Sequence, residues 1–478
     1  MYDYSHITFI ILTIIYIVSV LTCIGVVISE NRNPVKSLAW ITVLLLLPIA
    51  GFLLYLFFGR SPKNMVMIPR RNRRRLRNNH VGGTSYTLPA DTFSDESRQL
   101  VALAHRLLDS PVIAHNKIDI FTTGREKFDA LFDDIRAARH YVYIQYYIFE
   151  RDDIGTRLRD LLAEKVRQGV KVRVIYDHVG SFHLNMSFFS RMRKAGIEAY
   201  PFLKVTFPEL ANHMNWRNHR KIVVIDGLIG YIGGMNIADR YVNGNRLGPW
   251  RDTHLRVTGN AVRALEYSFA VDWYFMRREV IIDPTVTSLP YSTPQGPDNI
   301  QLIISGPTGR WSNIAMLFLK AISGAKKRIY IETPYFLPSD GLLKALQTAA
   351  LAGVDVRVMI PRTPDSALLR LASRSYIKEC LQAQIKIYFY EEGMLHSKLI
   401  IVDDEFVTTG STNFDFRSFE HNFESNILVY SREFNRRMRD VFLADQKKST
   451  RISIGKWKQR PISQKAFESL ARLMAPIL

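Results

Sequence analysis

ARHYVYIQYYIFERDDIGTRLRDLLAEKVRQGVKVRVIYDHV, from Ala138 to Val179, decides the fold, because the chain returns to the same pattern at Ala325–Pro361, AKKRIYIETPYFLPSDGLLKALQTAALAGVDVRVMIP. Each stretch gives a β-rich run, a loop, an amphipathic helix and then Gly-Val-x-Val-Arg-Val. The helix carries Leu158, Leu161, Leu162 and Val166 in the first copy and Leu342, Leu343, Leu346 and Ala350 in the second, at the i, i+3, i+4 spacing of one buried face. Strand, helix and strand in that order imply a parallel crossover. Upstream of the first copy, Thr123 and Glu126 fit a capping box ahead of Phe128, Leu131, Phe132 and Ile135. A further helix is expected over about 94–108. Pro290, Pro294, Gly296 and Pro297 punctuate the chain between the copies. The reading is an α/β protein whose body has two facing halves, 101–290 and 291–478, each a mixed sheet flanked by helices.

A shorter repeat lies downstream of each unit. The first runs His219-Arg-Lys221-IVVI-Asp226 and, after six residues, Gly233-Gly234-Met235-Asn236. The second runs His396-Ser-Lys398-LIIV-Asp403 and, after six residues, Gly410-Ser411-Thr412-Asn413. Five matched polar or glycine positions in two copies are more than surface decoration. Strand alternation puts His219 and Lys221 on one face and Asp226 on the other. If residues 225 and 228 flank the Asp226-Gly227 turn, His219 faces Gly234 and, by the same count, His396 faces Ser411. Small residues there leave room for a bound group.

Such a pair suits a phosphodiester. Lys221 and Lys398 supply point charges, and Asn236, Ser411 and Asn413 supply donors to phosphate oxygens. One histidine attacks phosphorus as a neutral imidazole, and the other passes its proton to the leaving alkoxide and then activates the incoming hydroxyl. Two similar halves meeting by pseudo-symmetry place both across one phosphate. Asp226 and Asp403 complete the signature, and are grouped with the catalytic residues, but their offset places them at turns in a structural role. Asp252, in WRDTH, and Glu424, in NFE, begin strands that can return beside the motif, each to hold a histidine by its second ring nitrogen. A metal is not expected, because a lysine two residues from each histidine sets a cation beside the supposed ligand and no His-x-x-x-His or Cys pair occurs.

The N-terminus is of another kind. Ile7–Ile28 and Leu38–Phe58 are uncharged runs of 22 and 21 residues, each long enough to cross a bilayer. They predict a two-helix transmembrane hairpin over 1–60, followed by a basic juxtamembrane linker over 61–100. Between Arg60 and Arg77 stand eight basic residues and no acid, against Arg32 and Lys36 in the loop between the runs. The positive-inside rule puts the long C-terminal part, and the N-terminus, in the cytoplasm. The basic cluster then faces anionic lipid headgroups.

Across 478 residues, 47% hydrophobic content excludes wholesale disorder, and a formal net charge of +20 favours anionic partners. The two cysteines, Cys23 and Cys380, exclude a disulfide scaffold. Near the C-terminus Phe467, Leu470, Ala471 and Met474 share one helical stripe. Packing into the core is its favoured reading and membrane contact the other. The aromatic run Tyr143–Phe149 reads as a buried strand.

The paired His219, Lys221, Asp226 and His396, Lys398, Asp403 resemble the HxKxxxxD signatures of the phospholipase D superfamily, with Gly234 departing from the family's usual serine. The stretches Asn33-Pro34 to Trp40, Phe58-Gly59-Arg60, RNHRKIVVIDG, GPWRDTHLRV, ETPYFLPSD and STNFDFRSFEHNFES resemble bacterial cardiolipin synthases over almost the whole chain. The resemblance implies a protein of the bacterial cytoplasmic membrane, with two phospholipase D-like domains on its cytoplasmic side. It also implies transfer of a phosphatidyl group between two phosphatidylglycerols to give cardiolipin and glycerol, with no cofactor and no metal. It favours His219 as nucleophile and His396 as general acid and base. A hydrolytic phospholipase D, another phosphatidyltransferase, a membrane-tethered nuclease and a lipid-binding scaffold are the rival readings. Nucleic acid is not expected as a partner, since eight of the positive charges lie within 60–77.

Overall fold

The structure is a computed structural model that describes residues 4–29, 34–47, 50–55, 59, 66–81, 87–88, 93–181, 186–204, 216–282 and 295–475. Arg32, Pro48, Phe58, Arg60, Lys63, Pro290 and Pro294 lie outside these residues. The chain divides into two compact units, one of residues 1–64 with 204–215 and one of 65–203 with 216–478.

Among the described residues of the first unit one helix, Tyr4–Ser29, is long and apolar enough to cross a membrane, and its window His6–Gly25 has a mean hydropathy of 2.7. Most of its described side chains face outward, with Phe9 70% and Leu12 60% exposed. The second apolar run is not one helix among the described residues. It forms Pro34–Leu46 and Ala50–Leu54. At 1.5 Å per residue the longer piece reaches only ~20 Å. Proline at 48 has no N–H to give and disfavours helical backbone at Leu47, which accounts for the interruption. Val20, Cys23, Val27, Leu44 and Tyr55 form the buried cluster of this unit.

The second unit joins both halves in one large sheet, with two small two-stranded sheets beside it. The first half contributes β1 (Ile113–Phe121), β2 (Tyr141–Tyr146), β3 (Lys171–Asp177), β4 (Glu198–Phe202), β5 (Arg217–Asn218), β6 (Ile222–Ile225), β7 (Ile229–Gly233), β8 (Trp250–Arg251) and β9 (His254–Thr258). The second contributes β10 (Asp298–Ser305), β11 (Arg328–Glu332), β12 (Phe336–Leu337), β13 (Asp355–Pro361), β14 (Lys386–Tyr390), β15 (Met394–Leu395), β16 (Leu399–Val402), β17 (Phe406–Gly410), β18 (Phe414–Asp415), β19 (Asn422–Tyr430) and β20 (Ser449–Arg451). The order is β4-β3-β2-β6-β7-β9-β1 in the first half, continuing as β10-β19-β17-β16-β11-β13-β14-β20 in the second. Outward from the β1–β10 join, each half reads first strand, a strand from beyond its motif hairpin, the hairpin itself and then three parallel strands, with β20 added antiparallel at the edge of the second half. The expected crossovers are the parallel pairs β2–β3 and β11–β13.

Alternation along the strands sorts the layers. In β2, Tyr141 and Tyr143 enter one core with helices Val262–Arg277 and Arg432–Lys447. Val142 and Ile144 enter another with helices Gly124–Ala137 and Asp153–Arg167. The second half covers its outer face with helices that include Asp95–Leu108, whose Leu100 and Ala104 pack with Leu317 and Phe318. The segment expected as a linker is therefore folded in part. Helix Arg70–His80 buries Leu76 and His80, and Asn72 donates to the Tyr274 hydroxyl at 2.8 Å.

The motif hairpins depart from the expected register by one residue. Ile225 pairs with Ile229 and Val402 with Phe406, so three residues separate the last partners on each side. Asp226 (φ 50°) and Asp403 (φ 51°) take left-handed backbone there. Aspartate tolerates that region better than most residues. Continued toward the motifs, this register sets His219 across from Met235 and His396 across from Thr412, not from Gly234 and Ser411.

Asp226 and Asp403 do not enter the site with the histidines. Asp226 accepts from the backbone N–H groups of Arg139, His140 and Tyr141 at 2.7, 2.8 and 2.8 Å. Asp403 accepts from those of Lys326, Lys327 and Arg328 at 3.0, 2.7 and 3.0 Å. Each carboxylate fixes the entry of the strand beside its hairpin, which is why an acid recurs at this spacing. Asp226→Ala should lower unfolding free energy by about 3 kcal/mol in urea titration, because it strands these donors. Activity per folded molecule should stay within a few-fold of the parent.

Candidate active site

The two histidines follow very short strands that cross from one half to the other. β5 runs parallel to the start of β19, with Asn218 beside Phe423. β15 runs parallel to β8, with Leu395 beside Arg251. The His219 N–H then donates to the Phe423 carbonyl at 2.9 Å, and the His396 N–H to the Arg251 carbonyl at 2.7 Å. The next residue on each receiving strand is an acid. Glu424 approaches His219 Nδ1 at 3.0 and 3.1 Å with its two oxygens. Asp252 approaches His396 Nδ1 at 2.6 Å. Each imidazole is therefore held by a carboxylate from the opposite half.

With Nδ1–H donated to the acid, Nε2 is the ring nitrogen left for chemistry. His219 and His396 line one cavity of about 300 Å³ together with Asn236, Asn413, Tyr147 and Tyr241. The Tyr147 ring meets His219 edge-on at 5.0 Å, and the Trp250 ring lies 5.3 Å from His396. Lys221 Nζ donates to the His219 carbonyl at 2.6 Å. Lys398 Nζ lies 2.9 Å from His396 Nδ1. Arg220, between His219 and Lys221, points away and anchors the segment, its Nη1 2.6 Å from both oxygens of Asp272.

Electrostatics follow from burial. It lowers the proton affinity of His219, opposed by Glu424. It brings His396 down to about 4, reinforced by Lys398 and opposed by Asp252. Burial also brings Lys221 down to about 7, opposed by Glu424. For Glu424 burial acts upward, but His219, Lys221 and Ser411 outweigh it and hold the carboxyl below its usual range. Asp252 behaves likewise, with Lys398 and His396 outweighing its burial. Both acids are ionised at neutral pH, and both rings are neutral while the cavity holds no anion. An entering phosphodiester adds negative charge next to the rings, which favours protonation of one of them.

The expected phosphate donors divide. Asn236 lines the cavity, its Nδ2 donating to the Tyr241 hydroxyl at 3.1 Å and its Oδ1 accepting from the Ile148 N–H at 3.2 Å. Asn413 also lines it. Ser411 does not reach it, because its hydroxyl is fully buried and donates to Glu424. The Gly234 position is the counterpart of this contact, since a Cβ there would stand 2.2 Å from Asp252 Oδ1. The glycine makes room for a shorter acid, and the serine supports a longer one. The departure from the signature therefore concerns a carboxylate and not a phosphate.

Tyr147, Tyr241, Trp250 and Asn422 escaped the sequence reading. Asn422 stands two residues before Glu424 on one strand face, lines the cavity and donates to Glu424 Oε1 at 3.1 Å. That spacing was available as a signal. Tyr147 comes from the loop after β2 and Tyr241 from the four-residue helix Arg240–Asn243, and neither carries a signal.

Residues 131–246 and 318–446 match the family model described as "Cardiolipin synthase, PLD-like domain", and residues 11–60 match "Phospholipase_D-nuclease N-terminal". A cardiolipin synthase of Geobacillus kaustophilus is 41% identical over 95% of this chain and 91% of its own length. The chain belongs to the bacterial cardiolipin synthase family of the phospholipase D superfamily. The major cardiolipin synthase ClsA of Bacillus subtilis is 36% identical, with 98% of this chain and 99% of that relative covered. The crystal structure of a phosphatidylserine synthase from Haemophilus influenzae shares the fold, with a TM-score of 0.61, 14% identity, and coverage of 80% of this chain and 100% of that one. Family membership accounts for the duplicated motif and the shared cavity together.

Proposed function

We propose that this protein is a cardiolipin synthase, a phosphatidyltransferase that joins two phosphatidylglycerols into cardiolipin and releases glycerol. The observation that carries this reading is one cavity lined by two histidines with exchanged carboxylates, in a chain related over nearly its full length to cardiolipin synthases. In the first step His219 Nε2 attacks phosphorus of the donor. The bond from phosphorus to the glycerol oxygen breaks, and His396 Nε2–H gives that oxygen its proton. A phosphatidyl group then rests on His219. In the second step His396 takes the proton of the acceptor's glycerol hydroxyl, whose oxygen attacks phosphorus and breaks the P–N bond. Asn236 and Asn413, which line the cavity, stabilise charge on the phosphorus oxygens, and Lys221 and Lys398 add positive charge from behind the histidines. Glu424 and Asp252 fix each ring's tautomer and orientation. No cofactor or metal takes part.

The matching strand orders support reading 101–290 and 291–478 as two pseudo-symmetric phospholipase D-like domains, with the cavity near their axis. The apolar runs at 7–28 and 38–58 support a two-span hairpin. The basic excess after it favours catalytic domains on the cytoplasmic side of a bacterial membrane, against anionic headgroups.

Purified full-length protein in phosphatidylglycerol vesicles should raise cardiolipin and free glycerol in equal amounts, read by mass spectrometry. EDTA should leave the rate unchanged. Release of phosphatidic acid without cardiolipin would mean that water is the acceptor, and would replace this reading by hydrolysis.

A further inference from the structure

The terminal helix Ile462–Leu473 turns its apolar side outward. Ile462 is 83% exposed, Phe467 62%, Leu470 61%, Leu473 78% and Met474 40%. At 100° per residue these side chains fall within an arc of about 140°. The opposite side carries the buried Ala471 and Glu468. Core packing, the reading favoured from sequence, therefore holds for Ala471 and fails for Phe467, Leu470 and Met474. A contiguous exposed apolar stripe of this kind marks a contact surface.

Its surroundings choose the partner. Between 454 and 475 stand Lys456, Lys458, Arg460, Lys465 and Arg472 against Glu468 as the single acid. Two copies meeting through this stripe would bring like charges together, whereas an anionic bilayer pairs with both the basic flanks and the apolar arc. The helix also packs on Ala367–Ser375, joined near its end by Arg472 to Glu379. Leu369 of that neighbour, with Asp365 just before it, lines the cavity that holds the two histidines.

We infer that the stripe Ile462, Phe467, Leu470, Leu473 and Met474 is a membrane-contact surface, lying in the headgroup boundary of an anionic bilayer and holding the cavity wall at the lipid. The inference rests on the reading of the substrate as a membrane phospholipid and adds a second attachment to the N-terminal one. It gives the catalytic unit a fixed orientation that a tether alone does not.

The two native cysteines are buried, so a thiol-reactive environment-sensitive fluorophore can be directed to Leu470→Cys in the full chain. The protein is placed in bilayers of phosphatidylglycerol and phosphatidylcholine, with and without bromine on the acyl chains. Quenching by the brominated lipid is expected, and a Phe467→Glu/Leu473→Glu double variant should abolish it by moving the docking equilibrium on the order of 100-fold. All three sites are exposed, so folding is retained, and circular dichroism checks this. An unquenched label would overturn the inference. So would quenching that the double variant leaves unchanged, or a spectral shift that follows protein concentration and not lipid, which would assign the stripe to self-association. None of these readouts needs turnover, so a failed membrane contact and a failed synthase reading are told apart.

Discussion

Alanine at either His219 or His396 lowers cardiolipin formation by at least about 10⁴-fold, and an activated donor then separates the two variants. The rings share a cavity but have different partners in the reaction. Without His219 no atom captures phosphorus, so improving the leaving group restores nothing. Without His396 the missing part is a proton for glycerol. A phosphatidyl donor with a nitrophenolate leaving group needs no such proton. His396→Ala should therefore give a burst of nitrophenol of one equivalent per active site and then stop, since the second step lacks its base. His219→Ala should give no burst. A burst from His219→Ala and none from His396→Ala would exchange the assignments, and the near-matched settings of the two rings make that a direct test of asymmetry. Both alanine variants should fold, because both rings sit at the edge of a cavity.

The second large effect falls on the carboxylates. Glu424→Gln and Asp252→Asn should each reduce the rate by about 10²–10⁴-fold while retaining the fold, because an amide behind the ring no longer selects the tautomer or stabilises the imidazolium. The loss should appear in the rate and not in lipid affinity, since neither acid lines the cavity. The neighbouring small residues grade the effect. Ser411→Ala removes one donor to Glu424 and should cost about tenfold, in line with a hydrogen bond to a charged group. Gly234→Ser is the harsher change, because its Cβ would stand 2.2 Å from Asp252 Oδ1 and push that acid off His396. If Gly234→Ser retained full activity, Asp252 would not be the group that orients His396.

Much of this was legible in the sequence for local reasons. The capping box at Thr123 forms, with the Glu126 N–H reaching Thr123 Oγ1 at 3.4 Å. The helix expected over 94–108 spans Asp95–Leu108, and the run Tyr143–Phe149, expected as a buried strand, is one only as far as Tyr146, beyond which Tyr147 and Ile148 line the cavity. Asp252 and Glu424 were recognisable as acids entering strands near the motifs. Which acid serves which ring was not, because the pairing is long-range. His219 and Glu424 are 205 residues apart, and the short ladders between β5 and β19 and between β15 and β8 bring each histidine to the acid of the opposite half. The hairpin register differs from the expected one because an Asp-Gly pair suggests a two-residue loop, while Leu228 adds a third residue outside the ladder. Ser411 leaves the expected position for the same reason. The terminal stripe differs because periodicity shows that a helix has an apolar side without showing what covers it.

The mechanism requires the two imidazoles to act on one phosphorus atom in turn. The most direct measurement is mass spectrometry of His396→Ala quenched after its burst with the activated donor. A single phosphatidyl group on His219 Nε2, absent from the His219→Ala protein, is the predicted result. Protein carrying no covalent lipid phosphorus after nitrophenol release, or carrying it equally when His219 is alanine, would contradict the account.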